Sequence, residues 1–82
     1  MKLLKFSASW CGPCKMLTKV MESIEFPYEV VDVDIEGNEE LVAKYGVRGV
    51  PTLVLLDDKD DVVVVHIGAL DKTALEERFI NL

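Results

Sequence analysis

The chain has 82 residues, half of them apolar, and nine Lys and Arg residues stand against fifteen Asp and Glu residues, for a formal charge of -6. This length suffices for one ordinary hydrophobic core, and we expect a single domain over residues 1–82. The acidic balance argues against nucleic acids and anionic membranes as partners, because neither attracts a negatively charged surface.

The first residues, MKLLKFSASWCGPC, do not resemble a secretory signal. Lys5 interrupts the apolar run before it reaches the roughly 7 to 15 residues that such a signal needs. No apolar run in the chain approaches the roughly 20 residues that span a membrane. We therefore expect a soluble, cytoplasmic protein.

Residues 2–8 form a short, largely apolar run that predicts a strand. A helix is predicted over residues 12–25, because apolar side chains recur there at intervals of three and four. These side chains are Met16, Leu17, Val20, Met21 and Ile24. Pro13 suits the first turn of this helix, where a missing N–H costs nothing, and Pro27 ends it.

Residues 28–35 alternate between apolar and acidic side chains, which predicts a half-exposed strand at the edge of a sheet. Gly37 then turns the chain. Asn38 is expected to cap a short second helix that reaches Tyr45 and stops at Gly46.

The last third of the chain predicts a β-hairpin followed by a helix. Residues 52–56 are apolar or β-branched without interruption, as in a buried strand, and residues 62–67 form the returning strand. The acidic segment 57–61 is the loop between them. Asp71 is expected to cap the last helix, which packs Leu75, Phe79 and Leu82 inward.

These elements follow one another in the order β-α-β-α-β-β-α. The first two strands are joined through a helix and should be parallel, in a right-handed crossover, whereas the last two form an antiparallel hairpin. The sequence therefore predicts an α/β fold with a four-stranded mixed sheet and three helices.

The only two cysteines, Cys11 and Cys14, lie three positions apart in the stretch SWCGPCK. A disulfide that closes so short a loop stabilises a fold by only about 2 kcal/mol, so the pair is expected to be reactive rather than structural. Positions i and i+3 on one helical face bring two sulfurs within disulfide reach. Cys11 lies at the helix N-terminus, which favours a thiolate, and Cys14 lies one turn inside and should be less exposed. We therefore expect Cys11 to attack a substrate disulfide and Cys14 to resolve the mixed disulfide.

Three stretches, WCGPC, KYGVRGVPTLVLL and GAL, resemble the thioredoxin family, and the resemblance extends over nearly the whole chain. It implies a minimal thioredoxin fold that reduces protein disulfides. It also implies a substrate-docking surface made of Trp10, Gly12, Pro13, Val50, Pro51 and Gly68. In the family, the proline matching Pro51 is cis and lies against the cysteine pair, and the backbone of the residue matching Val50 bonds the substrate chain.

The chain departs from the usual family pattern in two respects. Typical members have an extra strand and helix before the strand that leads into the motif, whereas here that strand starts at the first residue and leaves a core of glutaredoxin size. The family also usually carries a buried aspartate six residues before the first cysteine, with a lysine partner on the next strand. Here Lys5 occupies the first position, and the partner position falls near Val30. We expect Lys5 to stabilise a thiolate electrostatically and so to modulate its pKa.

The resemblance also implies where the electrons come from and go to. The chain has no nucleotide fingerprint such as GxGxxG and is expected to bind no cofactor, so a separate NADPH-dependent thioredoxin reductase should reduce the Cys11–Cys14 disulfide. The acceptors would be disulfide-containing proteins, with ribonucleotide reductase as one plausible example. We expect a monomer.

Three other functions fit parts of the sequence. A glutaredoxin-like use of glutathione suits the size of the chain and the partial match of residues 68–71. A non-enzymatic binding subunit with a thioredoxin fold is an alternative of a different class. A zinc site is the weakest candidate, because four ligands are needed and the remainder of the chain offers only His66 and carboxylates.

Overall fold

The computed structural model describes residues 1–81 and contains the seven predicted elements in the predicted order. They are β1 (Lys2–Ser7), α1 (Gly12–Glu22), β2 (Glu29–Asp34), α2 (Glu39–Lys44), β3 (Thr52–Leu56), β4 (Val62–Ile67) and α3 (Lys72–Phe79). The predicted α/β class, with four strands and three helices, is confirmed. The predicted inward packing of Leu82 lies outside the described residues.

The four strands form one mixed sheet in the order β2-β1-β3-β4. As predicted, β1 and β2 are parallel and β3 and β4 are antiparallel. The structure adds that β3 also pairs with β1, in the antiparallel sense. β2 is an edge strand, which explains its alternating pattern, and β3 lies inside the sheet with all five of its residues buried. The start of α1 therefore lies at the end of a central strand.

Both faces of the sheet are covered by helices. The face under α1 and α3 buries Leu3, Leu17, Met21, Leu53, Leu55, Leu75 and Phe79. The face under α2 buries Leu4, Phe6, Val33, Val54 and Leu56. Because successive side chains of a strand point to opposite faces, Lys5 shares the α1 face with Leu3. Lys5 therefore lies beneath α1, the helix that contains Cys14.

The first helix is shorter than predicted, because α1 ends at Glu22 rather than at residue 25. The backbone N–H of Ser23 donates to the carbonyl of Val20 at 3.1 Å, and the Ser23 hydroxyl donates to the same oxygen at 2.7 Å. A serine side chain that bonds a nearby carbonyl competes with the helical pattern and favours a helix end. Ile24 lies beyond the helix but still packs against the core under α1.

The second helix begins where expected, but Asn38 does not cap it with its side chain. The Asn38 amide instead donates to the carbonyl of Asp34 at 2.8 Å, which closes the turn after β2. The helix ends at Lys44, one residue before Tyr45, and Gly46 follows with a φ of +63°, a conformation that glycine adopts freely. The predicted cap of α3 is confirmed, since the Asp71 carboxylate accepts the N–H of Ala74 at 2.8 Å.

Within residues 1–81, none of the helices combines the length and the apolar character that a bilayer crossing requires.

Candidate redox site

Cys11 is the N-cap residue of α1, and its sulfur accepts the backbone N–H of Cys14 at 3.1 Å. The backbone of Cys11 is extended, and its own N–H donates to the carbonyl of Ala8 at 3.1 Å, which closes the turn between β1 and the helix. Pro13 lies in the first turn, as predicted. The sulfur of Cys11 therefore lies where an N-cap oxygen normally lies, and a negative charge is favoured at this point.

Cys11 and Cys14 are joined by a disulfide, with their Cα atoms 5.3 Å apart. This separation lies within the usual range of about 4.4 to 6.8 Å for disulfides. The predicted difference in exposure is small in this oxidised form, because Cys11 is 4% exposed and Cys14 is 3% exposed. The two sulfurs differ instead in position, since only that of Cys11 receives the helix N–H.

The loop before β3 lies against the disulfide. The Val50–Pro51 peptide bond is cis, as the resemblance implies, and Val50 packs against the small buried cluster of Ala8, Cys11 and Cys14. Gly68 has a φ of +101°, and its N–H donates to the carbonyl of Pro51 at 2.8 Å. The fold thus brings Val50, Pro51 and Gly68 together beside the cysteines.

The surface around the disulfide is formed by the other predicted docking residues. Gly12 and Pro13 are exposed, and Trp10 is 67% exposed despite its size. The Trp10 indole N–H donates to the Glu36 carboxylate at 3.2 Å, so Glu36 holds the ring from the loop after β2. Sequence reasoning missed Glu36, because only the folded sheet brings this loop beside the motif.

Lys5 is buried on the α1 face, where it is 5% exposed. Its ammonium group donates to the hydroxyl of Thr18 and lies 3.4 Å from an oxygen of Asp32. The predicted partner position near Val30 is wrong, because Val30 pairs with Leu3 and the residue opposite Lys5 on β2 is Asp32. The charge pair therefore joins a buried lysine to a carboxylate whose side chain is 76% exposed.

Thr18 links Lys5 to the second cysteine. The Thr18 hydroxyl donates to the carbonyl of Cys14 at 3.0 Å while it accepts from Lys5. Thr18 lies four residues after Cys14 and so on the same face of α1, a spacing from which the contact could have been inferred. The contact of Thr18 with Lys5 could not have been inferred from the sequence, because it depends on how α1 lies across the sheet.

His66 lies in β4, opposite Leu53 of β3, and burial together with the nearby Arg78 lowers the pKa of its imidazole. Among residues 1–81, no group of three or more His, Cys, Asp or Glu side chains is arranged to hold a metal ion.

A redox-active cysteine pair at the start of a helix, beside a cis-proline loop and an exposed aromatic ring, defines a thiol-disulfide oxidoreductase. The sequence model of the thioredoxin family matches residues 1–81. The chain is 40% identical to the thioredoxin of Bacillus subtilis, over 92% of this chain and 75% of that protein. It is 42% identical to the thioredoxin of Haemophilus influenzae, over 96% of this chain and 76% of that protein.

Comparison with solved structures also finds similarity to thioredoxins. A mutant thioredoxin from Halobacterium salinarum superimposes with a TM-score of 0.88 at 40% identity, covering 98% of this chain and 72% of that one. Fasciola hepatica thioredoxin superimposes with a TM-score of 0.85 at 36% identity, covering 98% of this chain and 78% of that one. The chain belongs to the thioredoxin family, and it is a protein-disulfide reductase whose redox-active group is its cysteine pair.

Proposed function

We propose that the chain reduces protein disulfides in two steps, with Cys11 as the attacking thiol and Cys14 as the resolving thiol. The observation that carries this assignment is the N-cap position of the Cys11 sulfur, which accepts the N–H of Cys14. A thiolate at this point gains from the same N–H and from the positive end of α1. Cys14, one turn inside the helix, has no such advantage.

The Cys11 thiolate attacks one sulfur of the substrate disulfide, a mixed disulfide forms, and the other substrate sulfur leaves as a thiolate that takes up a proton. Cys14 then loses its proton and attacks the sulfur of Cys11. The Cys11–Cys14 bond forms, the mixed disulfide breaks, and the second substrate sulfur leaves and is protonated. Two electrons pass from the cysteine pair to the substrate.

The substrate chain, on this proposal, lies across a surface made of Trp10, Gly12, Pro13, Val50, Pro51 and Gly68. Exposure of Trp10, Gly12 and Pro13 around the buried disulfide supports this surface. The hydrogen bond between Gly68 and Pro51 joins the far side of it to the cis-proline loop. An extended substrate segment would hydrogen-bond to the backbone of Val50.

Lys5 has a separate role in the proposal, as the cation that favours a thiolate at Cys14. Its burial supports this role, because a charge is screened less inside the protein than at the surface. So does the chain of hydrogen bonds from Lys5 through Thr18 to the backbone of Cys14.

We further propose that an NADPH-dependent thioredoxin reductase reduces the Cys11–Cys14 disulfide again, and that the whole cycle operates in the cytoplasm as a single domain over residues 1–82. Thioredoxins of about 40% identity support this donor. A ribonucleotide reductase is one acceptor that we propose.

The test is turnover of insulin disulfides with two alternative electron sources. We expect turnover with thioredoxin reductase and NADPH, and little with glutathione and glutathione reductase. The Cys11→Ser and Cys14→Ser variants serve as controls, and both should be inactive. Turnover with glutathione alone would assign the chain the glutaredoxin-like function, and activity that survives Cys11→Ser would remove Cys11 from the first step.

A further inference from the structure

A groove of about 290 Å³ lies on the face of the sheet under α2, between that helix and the loop that joins β3 to β4. Most of its lining is apolar and consists of Leu4, Val31, Val33, Leu41, Tyr45 and Leu56. The apolar surface continues beyond the groove onto β4. Val62 lies opposite Leu56, on the same face of the sheet, and is 50% exposed. An exposed apolar surface of this kind, bordered by polar residues, is typical of a site that binds a partner.

The groove is separate from the redox site. Lys2 lines the groove and begins β1, whereas Ser7 ends the same strand on the side of Cys11. Five residue steps along a strand span about 17 Å. The lining contains none of the residues proposed for substrate docking, so a molecule bound in the groove leaves the surface around Trp10 and Pro51 open.

Two lysines lie at the rim of the groove, Lys2 from the sheet and Lys44 from α2. The salt bridges found among residues 1–81 involve neither of them. The ammonium group of Lys44 lies 5.4 Å from the centre of the Tyr45 ring, a cation–π contact that holds it beside the groove. Asp60 is the carboxylate on the same rim. The local charge therefore favours an anionic partner.

The formal charge of the whole chain, -6, has the opposite sign to this rim. At physiological salt, however, exposed charges more than about 8 Å apart are largely screened from one another. The charges nearest to a bound molecule therefore decide which partner the groove attracts, and these are Lys2 and Lys44.

We propose that the groove binds a short acidic segment of a partner protein, with one or two large apolar side chains in the groove and carboxylates facing Lys2 and Lys44. A second copy of the chain fits less well, because a symmetric contact would bring the same lysine-rimmed surface of each copy together. The segment holds the partner at a surface distant from the cysteines. The disulfide exchange then proceeds while the partner stays bound.

Selection from a phage-displayed library of short random peptides tests the chemistry of the segment. The bait is the oxidised Trp10→Ala variant, which disfavours peptides that bind the substrate surface. We expect the enriched peptides to combine Leu, Ile or Phe with several Asp or Glu residues. Failure to enrich any peptide, or enrichment of peptides rich in Lys and Arg, overturns the proposal.

Fluorescence anisotropy of an enriched peptide, labelled with fluorescein, measures its affinity for the wild-type protein. The double variant Lys2→Gln, Lys44→Gln should bind it about threefold more weakly or worse, because two ion pairs at the rim are lost. The matched control is Lys19→Gln, Lys72→Gln, which removes two charges from α1 and α3 and should change the affinity less than twofold. Added salt should weaken binding to the wild type more than binding to the first double variant.

The apolar part of the surface has its own matched pair of variants. Val62→Gln removes apolar surface beside the groove without a change of charge, and it should also weaken binding about threefold or more. Met16→Gln makes the same kind of change on α1, at a side chain that is 67% exposed, and should leave binding unchanged. Equal losses in the two members of either pair overturn the proposal.

The bound peptide should not slow the reduction of insulin, because the groove and the cysteines are separate. A peptide that inhibits this reaction binds the substrate surface instead, and the proposal would then be wrong. Sedimentation of the wild-type protein alone should show a monomer, whereas a dimer that dissociates in Val62→Gln would place a second copy in the groove and overturn the proposal. Failure of the proposed function would look different, since insulin would then not be reduced although the peptide still bound.

Discussion

Replacement of the buried Lys5 by methionine tests what its contacts contribute to the fold. Asp32 lies 3.4 Å from the ammonium group with its side chain 76% exposed. Because the carboxylate is largely exposed, the net gain from this ion pair is only about 0.2 to 1 kcal/mol. The hydrogen bond to Thr18 has a charged donor and adds about 2 kcal/mol. Removal of an ammonium group from water costs several kcal/mol, and Lys5 is 5% exposed. The cost therefore exceeds the gain.

We expect Lys5→Met to stabilise the oxidised protein by about 1 kcal/mol, because methionine fills a similar volume and carries no charge. For a domain of this size, such a change raises Tm by about 4 to 8 °C. Urea and thermal unfolding followed by circular dichroism would measure it. Lys5→Ala is the control, since it removes the same charge but leaves a cavity. Truncation of a buried methionine to alanine costs about 2 to 5 kcal/mol, so Lys5→Ala should be about 1 to 4 kcal/mol less stable than wild type.

Lys5→Met should also react more slowly than wild type. Without the cation, the pKa of the Cys14 thiol should rise, and resolution of the mixed disulfide should become slower at pH 7. Stopped-flow mixing of the reduced protein with Ellman's reagent would measure this step, because a second thionitrobenzoate is released when Cys14 attacks. A protein that is more stable but slower would indicate that the buried charge serves the reaction rather than the fold. If Lys5→Met were less stable than wild type by more than 1 kcal/mol, the contacts of Lys5 would outweigh its burial and this reasoning would be wrong.

Three further outcomes are expected. Reduction of the Cys11–Cys14 disulfide should lower the free energy of unfolding by only about 2 kcal/mol, because a disulfide that closes a short loop contributes little. Unfolding measured with and without dithiothreitol would test this, and equal stability of the two forms would contradict it. Trp10→Ala should lower kcat/KM for insulin about tenfold or more, because the exposed ring is expected to contact protein substrates. The reaction with Ellman's reagent and the free energy of unfolding should stay nearly unchanged, since the ring is 67% exposed. An equal loss with both substrates would show that the ring acts on the cysteines instead. Burial raises the pKa of Tyr28 to about 12, and its hydroxyl donates to the carbonyl of Phe79. The folded state therefore favours the neutral phenol, and this stabilisation should be complete below the unfolded pKa of about 10 and lost as the pH rises toward 12. Unfolding measured across that range should show a smaller decline in Tyr28→Phe, and identical curves would remove Tyr28 from the effect.

The elements of the fold and the cysteine pair could be predicted because each has a local signal. The motif itself places Cys11 before a helix, and the uninterrupted apolar run of residues 52–56 indicates a buried strand. The end of α1 had no such clear signal, because the apolar spacing continues to Ile24 while the Ser23 hydroxyl already competes for the carbonyl of Val20. Helix ends depend on such single contacts.

The partner of Lys5 was missed for a different reason. The spacing along the chain places this partner near Val30, two residues from Asp32. Both residues lie on the same face of β2, since side chains alternate with a period of two. The predicted face of β2 is therefore right, and the predicted register between β1 and β2 is wrong. In a parallel pair the register is fixed by how the intervening helix packs, and no short turn sets it locally. The contact of Lys5 with Thr18 depends on that same packing.

The strand order explains why the two charges of this pair are placed as they are. β1 is central and β2 is an edge strand, so a charge at Lys5 is enclosed while a charge at Asp32 stays open to solvent. The long side chain of lysine carries its ammonium group to the Thr18 hydroxyl, so the enclosed charge has a hydrogen-bond partner. The exposed member of the pair is the carboxylate. An arrangement with the carboxylate on β1 would enclose a negative charge beneath α1, and such a charge would oppose a thiolate at Cys14. On the proposal made for Lys5, the observed arrangement encloses the charge that favours a thiolate at Cys14 and leaves the opposing charge in solvent, where it is screened more strongly.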